Sequence, residues 1–119
     1  MTTNKTSVEV DIILPQDYSQ SGEASVRVVV EDVSELDAAA RIIAEKHLET
    51  NVAPGKHIVT TVDVPLNEID PRRSYNVRAH VSRNQTGAIE PGDLITTQSV
   101  PLRIDQQETR LSVPLREVR

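Results

Sequence analysis

The residues best suited to chemistry in this 119-residue chain are three histidines, His47, His57 and His80, set among scattered carboxylates and serines. A histidine metal site needs ligands that converge, such as two histidines four apart on a helix or one beside a carboxylate pair. None of the three has that spacing. On a strand with Val77, Ala79 and Val81 facing inward, His80 faces outward between Arg78 and Ser82 and reads as a surface histidine. A serine nucleophile needs an activating base and a strained, glycine-flanked turn. With four glycines in all, there is no Gly-x-Ser-x-Gly and no phosphate-cradling loop. Glu31-Asp32 reads as the end of a strand. Asp93, behind Pro91-Gly92, would bind calcium only with partner oxygens that the sequence does not place. The triplets Asn4-Lys5-Thr6 and Asn84-Gln85-Thr86 read as exposed polar turns. The expectation is therefore a protein that is not an enzyme, with no cofactor and no metal. A hydrolase reading revives only if His47, Arg78 and His80 come into contact.

Composition narrows the partners. The net charge is −5, with a pI near 5.1, which disfavours nucleic acid and anionic lipid in the absence of a basic patch. Arg72-Arg73, the nearest candidate for one, has Glu68 and Asp70 beside it and reads as a solvated turn. There is no Phe or Trp, and Tyr18 and Tyr75 are the only aromatics, so stacking platforms for sugars or single-stranded nucleic acid are disfavoured. The absence of cysteine removes disulfides, thiolate zinc sites and Cys-linked lipid anchors. No stretch approaches the ~20 apolar residues of a membrane span, and no apolar leader follows Met1. As written, the chain is expected in the cytoplasm, or in the periplasm or at the outer membrane if Met1 replaces a removed export signal.

The elements that must position any site come from a period of two. Val8, Val10 and Ile12, then Val26, Val28 and Val30, then Ile58, Val62 and Val64, then Tyr75, Val77, Ala79 and Val81, then Leu111, Val113 and Leu115 alternate with polar residues. Such alternation buries one face of a strand and wets the other. The 16 Val, 9 Ile and 8 Leu suit a pleated, aliphatic core. Strands are expected at about 6–14, 24–32, 57–64, 74–83, 94–103 and 109–118, with Val28-Val29-Val30 marking a central strand buried on both faces. Turns are expected at 16–23, at 51–56 with Pro54-Gly55, at 67–73 with Asp70-Pro71, and at a long tip, 84–92. Pro101 and Pro114 cannot donate to a ladder and belong at edges or bulges. Residues 34–50 are ambiguous. Leu36, Ala40, Ile43 and His47 fall at helical spacing, with Ser34 and Asp37 as a capping pair, yet Ala40, Ile42, Ala44 and Leu48 also alternate.

Asp32-Val33-Ser34, Asp37-Ala38 and Ile42-Ile43-Ala44-Glu45-Lys46 together resemble the YbaY-like lipoprotein family, which includes the YscW-type pilot proteins of type III secretion. In that family a valine-rich strand ends in an Asp-Val-Ser type corner, and an Ile-Ala-Glu type strand, a Pro-bounded strand and a Tyr-x-Val-x-Ala type strand follow. Here Val26 to Val30, Ile58 to Pro65, Ile69 to Pro71, Tyr75 to Ala79 and Leu111 to Leu115 take those places. The resemblance implies an all-β, immunoglobulin-like or transthyretin-like antiparallel β-sandwich of about seven to eight strands, and it turns residues 40–49 toward strand. It covers about residues 8–117 of what is expected to be a single domain, with residues 1–5 flexible. The family carries no catalytic residues to transfer, and its members typically begin with a signal peptide and a lipidated cysteine.

The functional expectation is a noncatalytic, chaperone-like module that binds a protein segment, through edge-strand pairing or an exposed apolar strip. Ile89, Leu94 and Ile95 at the tip are the candidate partner-binding residues. The bland alternative is that they pack beneath their own loop. A small-molecule or carbohydrate-binding sandwich is the alternative function, and it requires a concave pocket with convergent polar groups.

Overall fold

The computed structural model describes residues 5–34, 39–70, 72–83, 88–98, 100–102 and 109–119. Among these described residues, nine strands form two sheets: β1 Lys5–Ile13, β2 Gly22–Asp32, β3 Arg41–Val52, β4 His57–Pro65, β5 Tyr75–Ser82, β6 Leu94–Ile95, β7 Pro101–Leu102, β8 Thr109–Pro114 and β9 Arg116–Glu117. The expected all-β sandwich is what forms. The strand count exceeds seven to eight because two expected strands divide. Residues 94–103 yield β6 and β7, since Thr96 turns its side chain onto the ladder, its Oγ1 accepting the Ala79 N–H at 2.9 Å, and Pro101 has no N–H to offer. The last strand divides at Pro114, after which β9 leaves for the other sheet.

The smaller sheet has the order β4-β1-β8 and the larger β3-β2-β5-β6-β9, with β7 also on β5. Most pairs are antiparallel, but β8 runs parallel to β1, from Val8 opposite Thr109 to Ile13 opposite Pro114. Pro101 and Pro114 both stand where a missing donor is tolerated: Pro101 at the margin of β5, Pro114 at the end of the edge strand β8. β2 is central, between β3 and β5, and Val28, Val29 and Val30 are all buried. The helical reading of residues 34–50 gives way to strand for Arg41–Val52. Residues 35–38, including Leu36 and Asp37, lie outside the described residues, as do residues 1–4 and the tip residues 84–87. β2 offers β3 a full antiparallel ladder, and those backbone bonds outweigh a weak local preference. A bulge falls where Val30 faces Ala44 but Glu31 faces Ile42. The extra residue, Ile43, leans on the core.

Inward residues of the two sheets meet in one aliphatic layer: Val8, Val10, Ile12, Val62, Val64 and Val113 from the smaller sheet, and Val26, Val28, Val30, Val77 and Val81 from the larger. Burying each such side chain is worth about 1.5–3 kcal/mol. β3 passes to β4, and so from one sheet to the other, through a tight turn. Gly55 there has φ +73° and sits close against Gln16, a conformation that side chains with a Cβ rarely adopt. Its N–H donates to Pro15 O at 3.0 Å, which ties the crossing to the end of β1.

Both tyrosines are buried, with different polar outcomes. The Tyr75 hydroxyl accepts the Asp70 N–H at 2.7 Å, whereas the Tyr18 hydroxyl has no hydrogen-bond partner among the described residues. Burial pushes the Tyr18 pKa up. Removing a bonded hydroxyl orphans its partner, while removing an unbonded one relieves a desolvation cost. Tyr75→Phe is therefore expected to lower stability by about 1 kcal/mol and Tyr18→Phe to leave it unchanged or raise it, as read by urea unfolding.

Beside Tyr75, Asp32 closes β2 against the start of β5. Its carboxylate takes the Arg73 guanidinium at 2.5 Å and the Ser34 N–H at 3.0 Å. Ser34 Oγ in turn accepts the Ser74 N–H at 2.7 Å. The Arg73 hydrogen bond, with help from Ser34, lowers the Asp32 pKa from 3.8 to about 2. A depressed carboxylate contributes stability that is complete above its unfolded value and lost as pH falls through the folded one. Acid unfolding between pH 3.8 and about 2 should thus be less steep in Asp32→Asn than in the parent, with the variant already weaker at neutral pH.

Candidate functional site

Two features of the larger sheet offer themselves to a partner: a cleft on its outer face and the unpaired margins of the sandwich. The cleft follows from the pleat. Alternation turns Arg78 and His80 of β5 outward, and Arg27 and Val29 of β2 outward beside them. His80 pairs with Ile95 of β6. The loop before β6 folds over this row so that Ile89 stands above it. Arg27, Val29, Arg78, Ala79, His80, Ile89, Ile95 and Thr96 enclose about 160 Å³. That is roughly the room one or two aliphatic side chains need, and below the ~300–1,000 Å³ of typical small-molecule sites.

Asp93 braces the loop. It is buried, and its Oδ2 meets His80 Nε2 at 2.8 Å and accepts the Glu90 N–H at 3.0 Å. The backbone of the same turn is stitched to the C-terminal segment, with Gly92 N–H donating to Val118 O and Val118 N–H to Asp93 O, both at 2.8 Å. A buried carboxylate is tolerable only when so satisfied. Asp93 thus faces donors, which is the opposite of a cation site. His80 does lie on the outer face, but its ring is only 18% exposed; it is a half-covered tie rather than the open surface histidine expected.

The cations that line the cleft are already paired. Arg27 Nε donates to Glu45 Oε1 at 2.7 Å, and the Glu45 pKa is lowered to about 2 by Arg27 first and His47 second. Arg78 donates to Glu31 at 3.0 Å. His47 contacts the Glu45 carboxylate, and His57 contacts Asp11 at 3.0 Å on the smaller sheet. Arg27 stands opposite both His47 and His80 in the sheet register, so those histidines are two strands apart and the convergence of His47, Arg78 and His80 does not form. Among the described residues, no group of three His, Cys, Asp or Glu is placed to hold a metal ion. Arg72 is a solvated turn residue, as expected, but Arg73 is fixed to Asp32.

Larger hollows are polar. One of about 430 Å³ lies among Asp32, Arg41, Glu68, Asp70 and Arg73, whose charges pair as Arg41 with Glu68 and Arg73 with Asp32. Another, of about 660 Å³, lies by Asp17, Ser19, Leu115, Arg116 and Glu117. There the Glu117 carboxylate is taken by the Ser19 hydroxyl and N–H.

Of the three tip residues, Ile89 is 56% exposed and Ile95 half-buried, both on the cleft wall. Leu94 is fully buried in the core. Alternation decides this: Leu94 faces Val81 and turns inward, and Ile95 faces His80 and turns outward. Of the three, Ile89 and Ile95 alone reach the surface. Sequence reasoning missed Val29, Arg27 and Thr96 as cleft residues, because their neighbourhood depends on strand order. It also did not place the margins. β3 pairs only with β2, and β4 only with β1, so among the described residues each has one unpaired side. At twelve and nine residues, these are long margins.

The family model of the type III secretion system lipoprotein chaperone, YscW, matches residues 3–115. The chain belongs to that family. A pilotin described as an alternative pilotin from the type II secretion system of Vibrio cholerae superposes with a TM-score of 0.67, over 95% of this chain and 98% of that one, at 20% identity. At that identity the likeness is one of fold. No curated protein matches the chain. Among the described residues, no helix of this YscW-family chain is long and apolar enough to cross a membrane.

Within this YscW-family sandwich, Leu94 and Ile89 separate folding from surface. Leu94→Ala should cost about 2–5 kcal/mol, whereas Ile89→Ala should change stability by no more than about 0.5 kcal/mol. Chemical denaturation of the two variants checks the division.

Proposed function

We propose that this chain is a noncatalytic, chaperone-like module that holds a partner polypeptide, engaging it by strand addition at a sheet margin, with Ile89 and Ile95 as a second contact. The observation that supports this reading best is the pair of long strands, β3 and β4, each unpaired on one side among the described residues. A strand margin presents a row of backbone donors and acceptors that an extended segment can complete, and its alternate side chains select the sequence. Family membership among secretion lipoprotein chaperones points the same way. The lipoprotein description favours the periplasmic or outer-membrane-associated placement over the cytoplasmic one. The small-molecule alternative has less support, since the cleft is too small for it and the polar groups of the larger hollows are largely bonded to one another.

A photo-crosslinking residue placed singly at Ile42, Val59 or Ile89, all exposed, should give a reproducible polypeptide adduct in the native host from at least one position. The same residue at Asp17, also exposed, serves as the control and should give none. Absence of adducts from all three, together with a thermal shift on addition of a metabolite, would replace the polypeptide reading by the small-molecule one.

A further inference from the structure

The two sheets do not cover one another equally on the side where β3 passes into β4. In the sheet register Ala44, Lys46 and Leu48 of β3 stand opposite Val30, Val28 and Val26 of β2, so all three project toward the interior of the sandwich. Their β2 partners are fully buried, yet Ala44 and Leu48 are only half-buried and Lys46 is exposed. On β4, by contrast, the inward-facing Ile58, Val62 and Val64 are buried. The smaller sheet therefore stops short, and β3 extends beyond it as a shelf with an apolar surface. The margin of that smaller sheet is β4, whose far side is unpaired among the described residues.

Lys46 marks the same place electrostatically. It springs from the inner face of β3, and its ammonium helps lower the pKa of Asp63, which lies on the outer face of β4. Asp63 is already engaged by the Ser7 hydroxyl at 2.8 Å and by Lys5 at 3.2 Å. Among the described residues, no ion pair holds Lys46 itself.

We infer that the β3 shelf beside β4 is the seat of an extended partner segment, which pairs its backbone with the free margin of β4, lays aliphatic side chains on Ala44 and Leu48, and sets a carboxylate against Lys46. Three observations fit this one occupant. A strand added to β4 lies about 4.8 Å farther out, in the layer above β3, so it covers the half-buried shelf. Its alternate residues meet Ala44 and Leu48 at the spacing of a strand. The exposed cation between those two positions asks for an acidic residue on the apolar face of the segment. A basic residue there would meet like charge at close quarters. The inference rests on the polypeptide-binding reading and adds to it which margin is used and what sequence is selected.

The test uses the full chain and synthetic, end-blocked nonapeptides of alternating valine and threonine, with the central residue of the valine face replaced by glutamate or by lysine. Fluorescence anisotropy should show the glutamate peptide binding about fivefold or more tighter than the lysine peptide. Lys46→Glu, an exposed substitution whose folding is checked by circular dichroism, should reverse that order. Arg72→Glu, at an exposed turn, should leave it unchanged. An order that persists in Lys46→Glu overturns the inference, as does failure of every peptide to bind. Persistence of the order together with lost binding in Ile89→Asp moves the seat to the cleft and leaves the polypeptide reading intact. Crosslinking from Lys46 that yields only a homodimer of the chain would assign the shelf to a second copy and sink the inference as well.

Discussion

Interdigitation of aliphatic side chains between two sheets of unequal width is the constraint from which the other features follow. Valine and isoleucine are short, so the sheets must approach closely for their methyl groups to touch. With only two aromatics, no large ring bridges a gap where cover runs out. Tyr18 and Tyr75 both belong to the buried cluster, so neither is spare. A three-strand layer laid on a wider one leaves part of the wider one uncovered, and in this fold the uncovered part includes the inner face of β3. The exposed shelf is a consequence of the packing rather than a separate device.

The same constraint explains how polar groups are distributed. The outer face of the larger sheet is not simply wet, since Val29 and Glu31 are buried there among longer neighbours. Arg27 and Arg78 flank Val29 and pair with Glu45 and Glu31, so their stems cover apolar surface while their heads are neutralised. The exposed ion pairs contribute little stability singly. Their larger effect is to fix which side chains flank the cleft and to deny it an uncompensated charge. Asp93 does comparable work for the loop carrying Ile89, where its carboxylate joins β5 to the turn and its main-chain carbonyl holds the C-terminal segment.

Much of the architecture was legible because a period of two is a local property. Val8 through Ile12 and Tyr75 through Val81 declare their inner faces without reference to any neighbour. β3 was not legible in that way. Its inward positions include Lys46, and its bulge at Ile43 breaks the alternation, so the segment reads nearly as well as a helix until β2 supplies a ladder. The parallel pairing of β8 with β1, and the departure of β9 to the other sheet, are choices among margins that no local pattern encodes. The site suffered most from this. Ile89 and Ile95 stand out in sequence as apolar residues near a turn, and Leu94 groups with them because the inward or outward phase of a two-residue strand is set by its partner. Val29 and Arg27, 60 or more residues earlier in sequence, could not be joined to them without the strand order.

A lysine on the inner face of a margin strand is usually read as protection, because an inward charge discourages an added strand. Lys46 fits that description, yet protection and selection are the same physics with different partners. An ammonium beside apolar Ala44 and Leu48 penalises any segment that would bury it unpaired, and it rewards one that brings a carboxylate. The discrimination comes mostly from the rejected segments, since desolvating a lone charge costs more than an exposed pair returns. On the proposed reading, such a residue lets the module refuse exposed hydrophobic strands of other proteins while accepting a segment that carries a carboxylate.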